Sequence, residues 1–172
     1  MENLYTCTVP VLVNMLGGLK TVLAKAESYA KEHGMNEAVF LDDRLAADMF
    51  PLKKQVQVAC DNAKGAVARL TGKENPVMED NEQTFAELQA RIDKTLVFVQ
   101  SVTEQDFEGA EERKITLPYF PGKYMTGMDY ATLYAVPNFL FHVTTAYGLV
   151  RKNGVNIGKA DFANELPLRN LE

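Results

Sequence analysis

Helical periodicity dominates the first part of the chain. From Leu12 onward, apolar residues recur at alternating steps of four and three, which places them on one face of a helix. This stripe consists of Leu12, Leu16, Leu19, Leu23, Ala26 and Ala30. Thr8 is a residue type that caps helix starts, and Gly34 is one that ends them. The pattern therefore predicts a first helix over about Val9 to His33.

Two further stripes with the same period predict a second and a third helix. Pro51, which is tolerated at a first helical position, opens the second helix, and Gly72 ends it. Its stripe is Val56, Cys60, Ala63, Val67 and Leu70, with small residues in the middle that either let helices approach closely or leave room for a ligand. A polar loop over 73–83 follows. Thr84 and Glu87 then form a capping box for the third helix, whose stripe is Phe85, Leu88, Ile92, Thr95, Val99 and Val102.

The pattern changes between residues 106 and 128. The run KITLPYFPGKYMTG contains two prolines and a Gly-Lys turn, which favours a loop with a short hairpin. Asp129 is placed to cap a fourth helix that Pro137 should bend and Gly154 should end, with the stripe Leu133, Val136, Leu140, Val143, Tyr147 and Val150. The tail should pack a short turn around Phe162 against the other helices.

Four amphipathic helices of this length predict an all-α four-helix bundle that forms one domain over 1–172. The connections favour an up-and-down order, and a crossover connection stays open. The net charge of −5 and the lack of clustered Lys and Arg argue against a nucleic-acid surface. The residues from 130 to 150 carry no charge over a membrane-span length, but Pro137, Asn138 and His142 indicate a buried helix, so no membrane partner is expected.

The N-terminal residues and the two cysteines indicate the cellular compartment of the protein. An acidic residue stands where a secretory signal would carry a basic one. Cys7 and Cys60 have no CxxC spacing, and buried reduced thiols are the default for such a pair. We therefore expect a cytoplasmic protein.

The fourth helix has too little polar surface for an outer helix of a monomer. The side away from its stripe carries no permanent charge and consists of Tyr134, Asn138, Phe141, His142, Thr145 and Leu149. The first helix is likewise uncharged between Asn3 and Leu19. Two explanations stand: a homodimer through helices one and four, or cover from the hairpin loop and the tail within one chain.

Two long runs resemble a known family. RLAADMFPLKKQVQVACDNAKGAVARLTG and PNFLFHVTTAYGLVRKNGVNIGKADF are similar to an uncharacterised bacterial and fungal family, a domain of unknown function within the DinB/YfiT-like superfamily. The resemblance implies a four-helix bundle, commonly dimeric. It also implies a divalent metal held by three histidines, in metal-dependent thiol transferases and isomerases of the superfamily. One of these histidines comes from helix two, and the other two form an H-x-x-x-H pair on helix four.

This chain departs from that metal site. His142 matches the first position of the H-x-x-x-H pair, but Ala146 occupies the second and the second helix has no histidine. His33, the other histidine, lies at the far end of the first helix. We therefore expect no three-histidine metal site and no cofactor. A mixed site of His142 with Asp61 and Asp48 stays open, since carboxylates also ligate metals.

Candidate site residues follow from the same positions. The residues expected to bind a ligand are Asp48, Gln57, Asp61, Tyr124, Asn138 and His142. His142 and Asp61 are the candidate catalytic pair, with the imidazole as a general base. Each also has a structural explanation: a bonded core histidine for His142, a solvated Asp61 beside Gln57, a cap by Asp48, a core Tyr124, and an Asn138 that bonds the carbonyl freed by the proline.

Three functions are consistent with these residues. The first is a small-ligand-binding dimer that kept a pocket and lost its metal. The second is a transferase or isomerase that uses His142 with Asp61, and the third is a structural or interaction module. A pocket lined by Gln57, Asp61, Tyr124 and His142 would favour the first two, whereas an interior filled with Leu and Phe would favour the third.

Overall fold

A computed structural model describes residues 3–171, which form a four-helix bundle. The long helices are α1 (Leu4–Glu32), α3 (Leu52–Thr71), α4 (Phe85–Gln100) and α6 (Val136–Lys152). The shorter elements are α2 (Glu37–Leu41), a 3-10 turn (Glu104–Phe107), α5 (Gly127–Asp129), a π-helical turn (Tyr130–Ala135) and α7 (Lys159–Ala163). The predicted all-α four-helix bundle is confirmed.

The connection between α3 and α4 is a crossover. Three contacts place residues 80–83 beside the start of α3: Lys54 pairs with Asp80, Gln57 donates to Glu82 at 2.8 Å, and Lys53 donates to Gln83 at 3.3 Å. Residues 73–83, which we call the crossover segment, therefore run back along the whole of α3. As a result α3 and α4 are parallel, and the up-and-down order favoured by the sequence is wrong.

The helix starts differ from the predicted ones in detail. Helix α1 begins at Leu4 because the side chain of Asn3 caps it, while Thr8 lies inside the helix and its hydroxyl donates to the carbonyl of Leu4. Pro51 is the N-cap of α3 and not its first helical residue. The capping box of Thr84 and Glu87 at α4 is present as predicted.

The segment before α6 combines a short hairpin and an irregular helix. Ile115 and Met125 form an isolated antiparallel bridge through two backbone hydrogen bonds of 2.8 and 2.9 Å, in the loop where a hairpin was predicted. Thr126, and not Asp129, caps the helical segment that follows. The disturbance expected from Pro137 takes the form of a π-helical turn immediately before α6.

The core is apolar and continuous among the long helices. Its largest fully buried side chains include Phe40, Phe85 and Phe139, together with leucines of α1, α3 and α4. Helix α1 is the one described helix long and apolar enough to cross a membrane, and 44% of its most apolar window is buried inside the bundle. Its leucines lie in the shared core, which is the usual position of such a helix in a bundle.

The tail covers part of α1. Cover from the tail within one chain was the second explanation for the uncharged surface of the first helix. Asn14 donates to the carbonyl of Ala163 at 2.9 Å, Lys25 pairs with Asp161 at 2.6 Å, and Phe162 packs edge-on against Tyr147. A methyl group on Gly18 would stand 2.2 Å from the carbonyl oxygen of Phe162. The close approach of α7 to α1 therefore requires glycine at position 18.

Replacing Gly18 by alanine should separate α7 from α1. Because the new methyl would meet backbone atoms, we expect Gly18→Ala to destabilise the fold by about 1–3 kcal/mol, measured by urea unfolding, with faster amide exchange over residues 159–163. Gly17→Ala is the matched control, since its methyl meets only the end of the Asn164 side chain, which can rotate away. Equal effects of the two variants would contradict the proposed contact.

Candidate functional site

A line of polar pairs joins α3 to α6 and its preceding turn. Gln55 bonds His142 at 2.7 Å, Asn62 bonds Asn138 at 3.2 Å, and Arg69 bonds Tyr130 at 3.2 Å. The α3 members are seven residues apart, which is two helical turns, so they share one face. We call these three pairs the polar ladder; they show that α3 and α6 are antiparallel.

The hydrogen bonds of Gln55 determine where His142 carries its proton. The side-chain nitrogen of Gln55 donates to the carbonyl of Phe50 at 3.0 Å, so its side-chain oxygen is the atom that faces the imidazole. An amide oxygen can only accept a hydrogen bond. Nδ1 of His142 therefore carries the proton, and Nε2 holds an unshared electron pair.

The second nitrogen of His142 has different surroundings. Nε2 makes no hydrogen bond with any residue from 3 to 171, and His142 as a residue is 8% exposed. Burial lowers the pKa of His142 below its ordinary value of 6.5, so the ring is neutral at pH 7. Phe141 packs edge-on at 5.2 Å and is itself 55% exposed. The site thus offers one neutral hydrogen-bond acceptor beside an exposed aromatic ring.

Two of the predicted site residues lie on the other side of α3. Gln57 donates to Glu82, and Asp61 accepts from Arg91 at 2.8 Å. Both contacts face α4 and the crossover segment, whereas His142 faces α3 from α6. The predicted pairing of His142 with Asp61 is therefore wrong, because the two side chains belong to different helix interfaces.

Arg91 is the centre of a charged cluster in that second interface. Its side chain is 1% exposed, and its two terminal nitrogens contact Asp61, Asp80 and Glu82 within 2.8–3.0 Å and the carbonyl of Glu79 at 3.0 Å. Lys54 and Lys64 balance the remaining charge through Asp80 and Asp61. Burial alone would lower the pKa of Arg91, but the hydrogen bond that Arg91 donates to Glu82 and the nearby carboxylates raise that pKa above its ordinary value. The Arg91 cluster is thus a paired, charge-balanced network.

The other predicted site residues are dispersed. Asp48 is exposed in the loop before α3, and Asn138 bonds Asn62 in the polar ladder. Tyr124 is 55% exposed and stacks under the Lys114 ammonium in the hairpin loop. That loop packs at the carboxyl end of α3, about 20 Å along the helix from Gln55. The single pocket expected from these residues is not formed.

A groove lies elsewhere, between the crossover segment and α4. Its volume is about 720 Å³. Glu82 and Arg91 form part of its lining, together with Val77, Met78, Lys94, Val97 and Phe98. None of the six predicted site residues lines this groove.

The similarity of the chain to known proteins agrees with this architecture. Residues 4–163 match the family described as Domain of unknown function (DUF1993). The chain belongs to this family. The chain is 43% identical in sequence to a DinB family member protein from Shewanella denitrificans whose crystal structure is known. The two structures match with a TM-score of 0.93, and the match covers 99% of this chain and 100% of that one. No curated protein matches. The resemblance to an uncharacterised DinB-like family is thus confirmed.

In this DUF1993 family member, the side chains do not fit the metal site of three histidines that the DinB resemblance implies. Gln55 is the α3 residue that faces His142, and the buried methyl of Ala146 stands one turn further along α6. A single imidazole is therefore available there. Across residues 3–171, no three His, Cys, Asp or Glu side chains converge as a metal site would require, which also leaves the mixed site of His142, Asp61 and Asp48 unformed.

Gln55 and Arg91 organise these interfaces, and neither is among the site residues predicted from the sequence. The repeat of Gln55, Asn62 and Arg69 at seven-residue steps is a visible signal for a polar face. Arg91 stands between Leu88 and Ile92 on an otherwise apolar stripe of the DUF1993 bundle. A charge in that position indicates a buried ion pair, although not its partners.

Removing the charge of Arg91 should destabilise the fold strongly. Arg91→Met leaves three carboxylates without their shared cation, and we expect a loss of about 3 kcal/mol in urea unfolding, at the low end for a broken buried pair because Asp61 and Asp80 reach water. Lys20→Met is the control; it removes a cation from an exposed pair with Asp93 and should change stability by less than about 1 kcal/mol. Should Arg91→Met not fold, Glu82→Gln tests the same contact. Variants of both positions with unchanged stability would contradict this role.

The proton position on His142 is directly measurable. At about pH 8, above the ordinary imidazole pKa, long-range ¹H–¹⁵N NMR should show the proton on Nδ1, with a titration midpoint below 6.5. Because the folded pKa lies below the unfolded one, the contribution of His142 to stability is complete above pH 6.5 and is lost as the pH falls through the folded value. Gln55→Leu should remove the preference of the His142 proton for Nδ1. The His33→Asn variant lacks the other imidazole and so identifies which signals belong to His142. A proton on Nε2 in the unaltered chain would contradict the assignment.

Proposed function

We propose that the chain binds a small molecule at His142 and that it has lost the three-histidine metal site of its superfamily. The observation that carries this proposal is the fixed tautomer. Gln55 holds the proton on Nδ1, so Nε2 keeps an electron pair that no residue from 3 to 171 uses. A ligand that donates from a hydroxyl, thiol or N–H group matches this acceptor.

The surroundings of the imidazole favour a ligand with an apolar or aromatic body. Phe141 presents an exposed ring beside His142, and aromatic rings pack edge-on or offset against one another. The lowered pKa of His142 disfavours the imidazolium, so an anion would lack the charge partner that it needs. The preferred ligand is therefore an uncharged donor with an aromatic or aliphatic group.

The same contacts argue for binding over acid–base catalysis. A general base that takes a proton becomes an imidazolium, which catalytic sites commonly stabilise with a carboxylate on the other nitrogen. Here a neutral amide, that of Gln55, occupies this place, and Asp61 is engaged by Arg91. A transferase or isomerase that relies on His142 with Asp61 lacks this support. The core filled with Leu and Phe side chains favours a structural or interaction module, which is the alternative that the binding test must separate from ligand binding.

Phenol is a suitable probe because it combines a donor hydroxyl with an aromatic ring, and anisole is its matched non-donor. We expect phenol to shift the His142 ring signals with an affinity on the order of millimolar, as for a fragment, whereas anisole should not. His142→Phe keeps an aromatic ring but removes the acceptor, and it should abolish the phenol response. Shifts that map to the groove at Lys94 and Phe98, or no shifts at all, would contradict binding at His142.

The proposed loss of the metal site is tested on protein purified without a chelator and without a nickel affinity column. Elemental analysis followed by Zn²⁺ titration should give far less than one tightly held metal per chain, since a single imidazole is a weak ligand set. If the unaltered protein holds one metal per chain and the His142→Phe variant holds none, the proposal that the metal site has been lost is wrong. Phenol titration of the unaltered protein before and after chelator treatment then distinguishes ligand binding from metal binding, because phenol binding does not depend on metal.

A further inference from the structure

Residues 74–78 of the crossover segment leave their backbone unpaired. Because the segment returns along about 30 Å of helix, this backbone is nearly extended. Neither its amide N–H groups nor its carbonyls form a hydrogen bond with any residue from 3 to 171; the first attachment beyond it is the carbonyl of Glu79, which accepts from Arg91. An extended backbone with free donors and acceptors is the feature that lets a second strand pair along a protein edge.

The same stretch forms one wall of the groove along α4. Val77 on the segment is 93% exposed and Val97 on α4 is 71% exposed, although both line the groove. The α4 lining runs from Glu87 to Ser101, a length of about 21 Å. A strand of about six residues spans that distance. The groove therefore has the length and the uncovered apolar walls that suit an extended peptide.

Polar groups along the groove are also left without partners. Lys94 lies midway along the α4 lining and forms no ion pair with residues 3–171. One turn away, Nε of Arg91, another lining residue, is buried and has no hydrogen-bond acceptor among the same residues. Glu79 and Glu87 lie toward the amino end of α4, whereas Val97 lies toward its carboxyl end. A complementary peptide carries apolar side chains at one end, a carboxylate in the middle and a cation at the other end.

We propose that the groove between residues 74–78 and α4 binds an extended peptide, which pairs with the free backbone as an added strand. The apolar side chains of the peptide fill the space between Val77 and Val97, and its central carboxylate pairs with Lys94. This surface does not contain His142, so it goes beyond the proposed ligand site and does not depend on it. The partner is an extended segment of another protein with a central acidic residue.

Titration with a fluorescein-labelled peptide tests the groove. The probe is a blocked peptide of about six residues, with valines near one end, a central glutamate and a lysine at the other end. We expect saturable binding by fluorescence anisotropy, and Lys94→Glu should weaken it about tenfold by replacing an attraction with a repulsion. Lys159→Glu is the matched control, because it makes the same change on α7, outside the groove. No saturable binding by the unaltered chain, or equal binding by the Lys94→Glu variant, would overturn the proposal.

N-methylated peptides test the pairing of the backbones. Methyl groups on alternate amides remove the donors along one edge of the peptide and leave every side chain in place. Because one edge of an added strand faces its neighbour and the other does not, methylation of one alternate set should abolish binding, and methylation of the other set should preserve it. Equal binding of the two methylated peptides would show that side chains alone hold the peptide, which contradicts strand pairing.

A second copy of this chain is the competing occupant, and the mass in solution identifies it. Val97→Asp places a charge in the wall of the groove and should abolish peptide binding, while Val39→Asp, at an exposed position on α2, should not. By light scattering, we expect the Val97→Asp variant and the unaltered chain to have the same mass. A mass that falls to the 19.2 kDa of one chain in Val97→Asp alone would show that another copy occupies the groove, and the peptide proposal would be wrong.

Discussion

The buried guanidinium of Arg91 holds the crossover that defines this bundle. Because α3 and α4 are parallel, the chain must return along a helix about 30 Å long within the crossover segment, whose residues span at most about 40 Å when extended. A segment so nearly extended has little freedom to form its own backbone hydrogen bonds. Side chains supply the attachment instead, with Asp80, Glu82 and the carbonyl of Glu79 converging on Arg91. The four-helix topology thus depends on one cation inside a largely apolar interior.

This arrangement leaves α3 covered on two sides, and its polar residues divide accordingly. Gln57 and Asp61 serve the interface with α4, while Gln55 and Asn62 serve the interface with α6. The division accounts for the character of the candidate site. His142 receives a neutral amide partner, and the carboxylate that would make it a stronger base is committed to Arg91. This division is the reason that we propose recognition of an uncharged donor, rather than metal or acid–base chemistry, at this position.

Local patterns in the sequence predict the helices well and the site poorly. Periodicity and the capping box locate α3 and α4 to within one or two residues, because both depend on near neighbours in the chain. The crossover and the split of Gln57 and Asp61 from His142 depend on which helix covers which face, and residue spacing does not contain that information. Tyr124 illustrates the same limit. It lies in a loop, so no helical periodicity predicts its distance from His142. The π-helical turn is an intermediate case, in which Pro137 indicates a disturbance but not its form.

The polar ladder has a consequence for how the bundle selects its own alignment. Apolar side chains on α3 and α6 oppose a shift of one helix by a turn only through the fit of their sizes. The pairs at Gln55, Asn62 and Arg69 would all be broken by that shift at once, leaving several polar groups buried without partners. Misaligned packings are thereby raised in free energy together. The three hydrogen-bonded pairs can form together in one alignment of α3 against α6, and their spacing therefore selects that alignment.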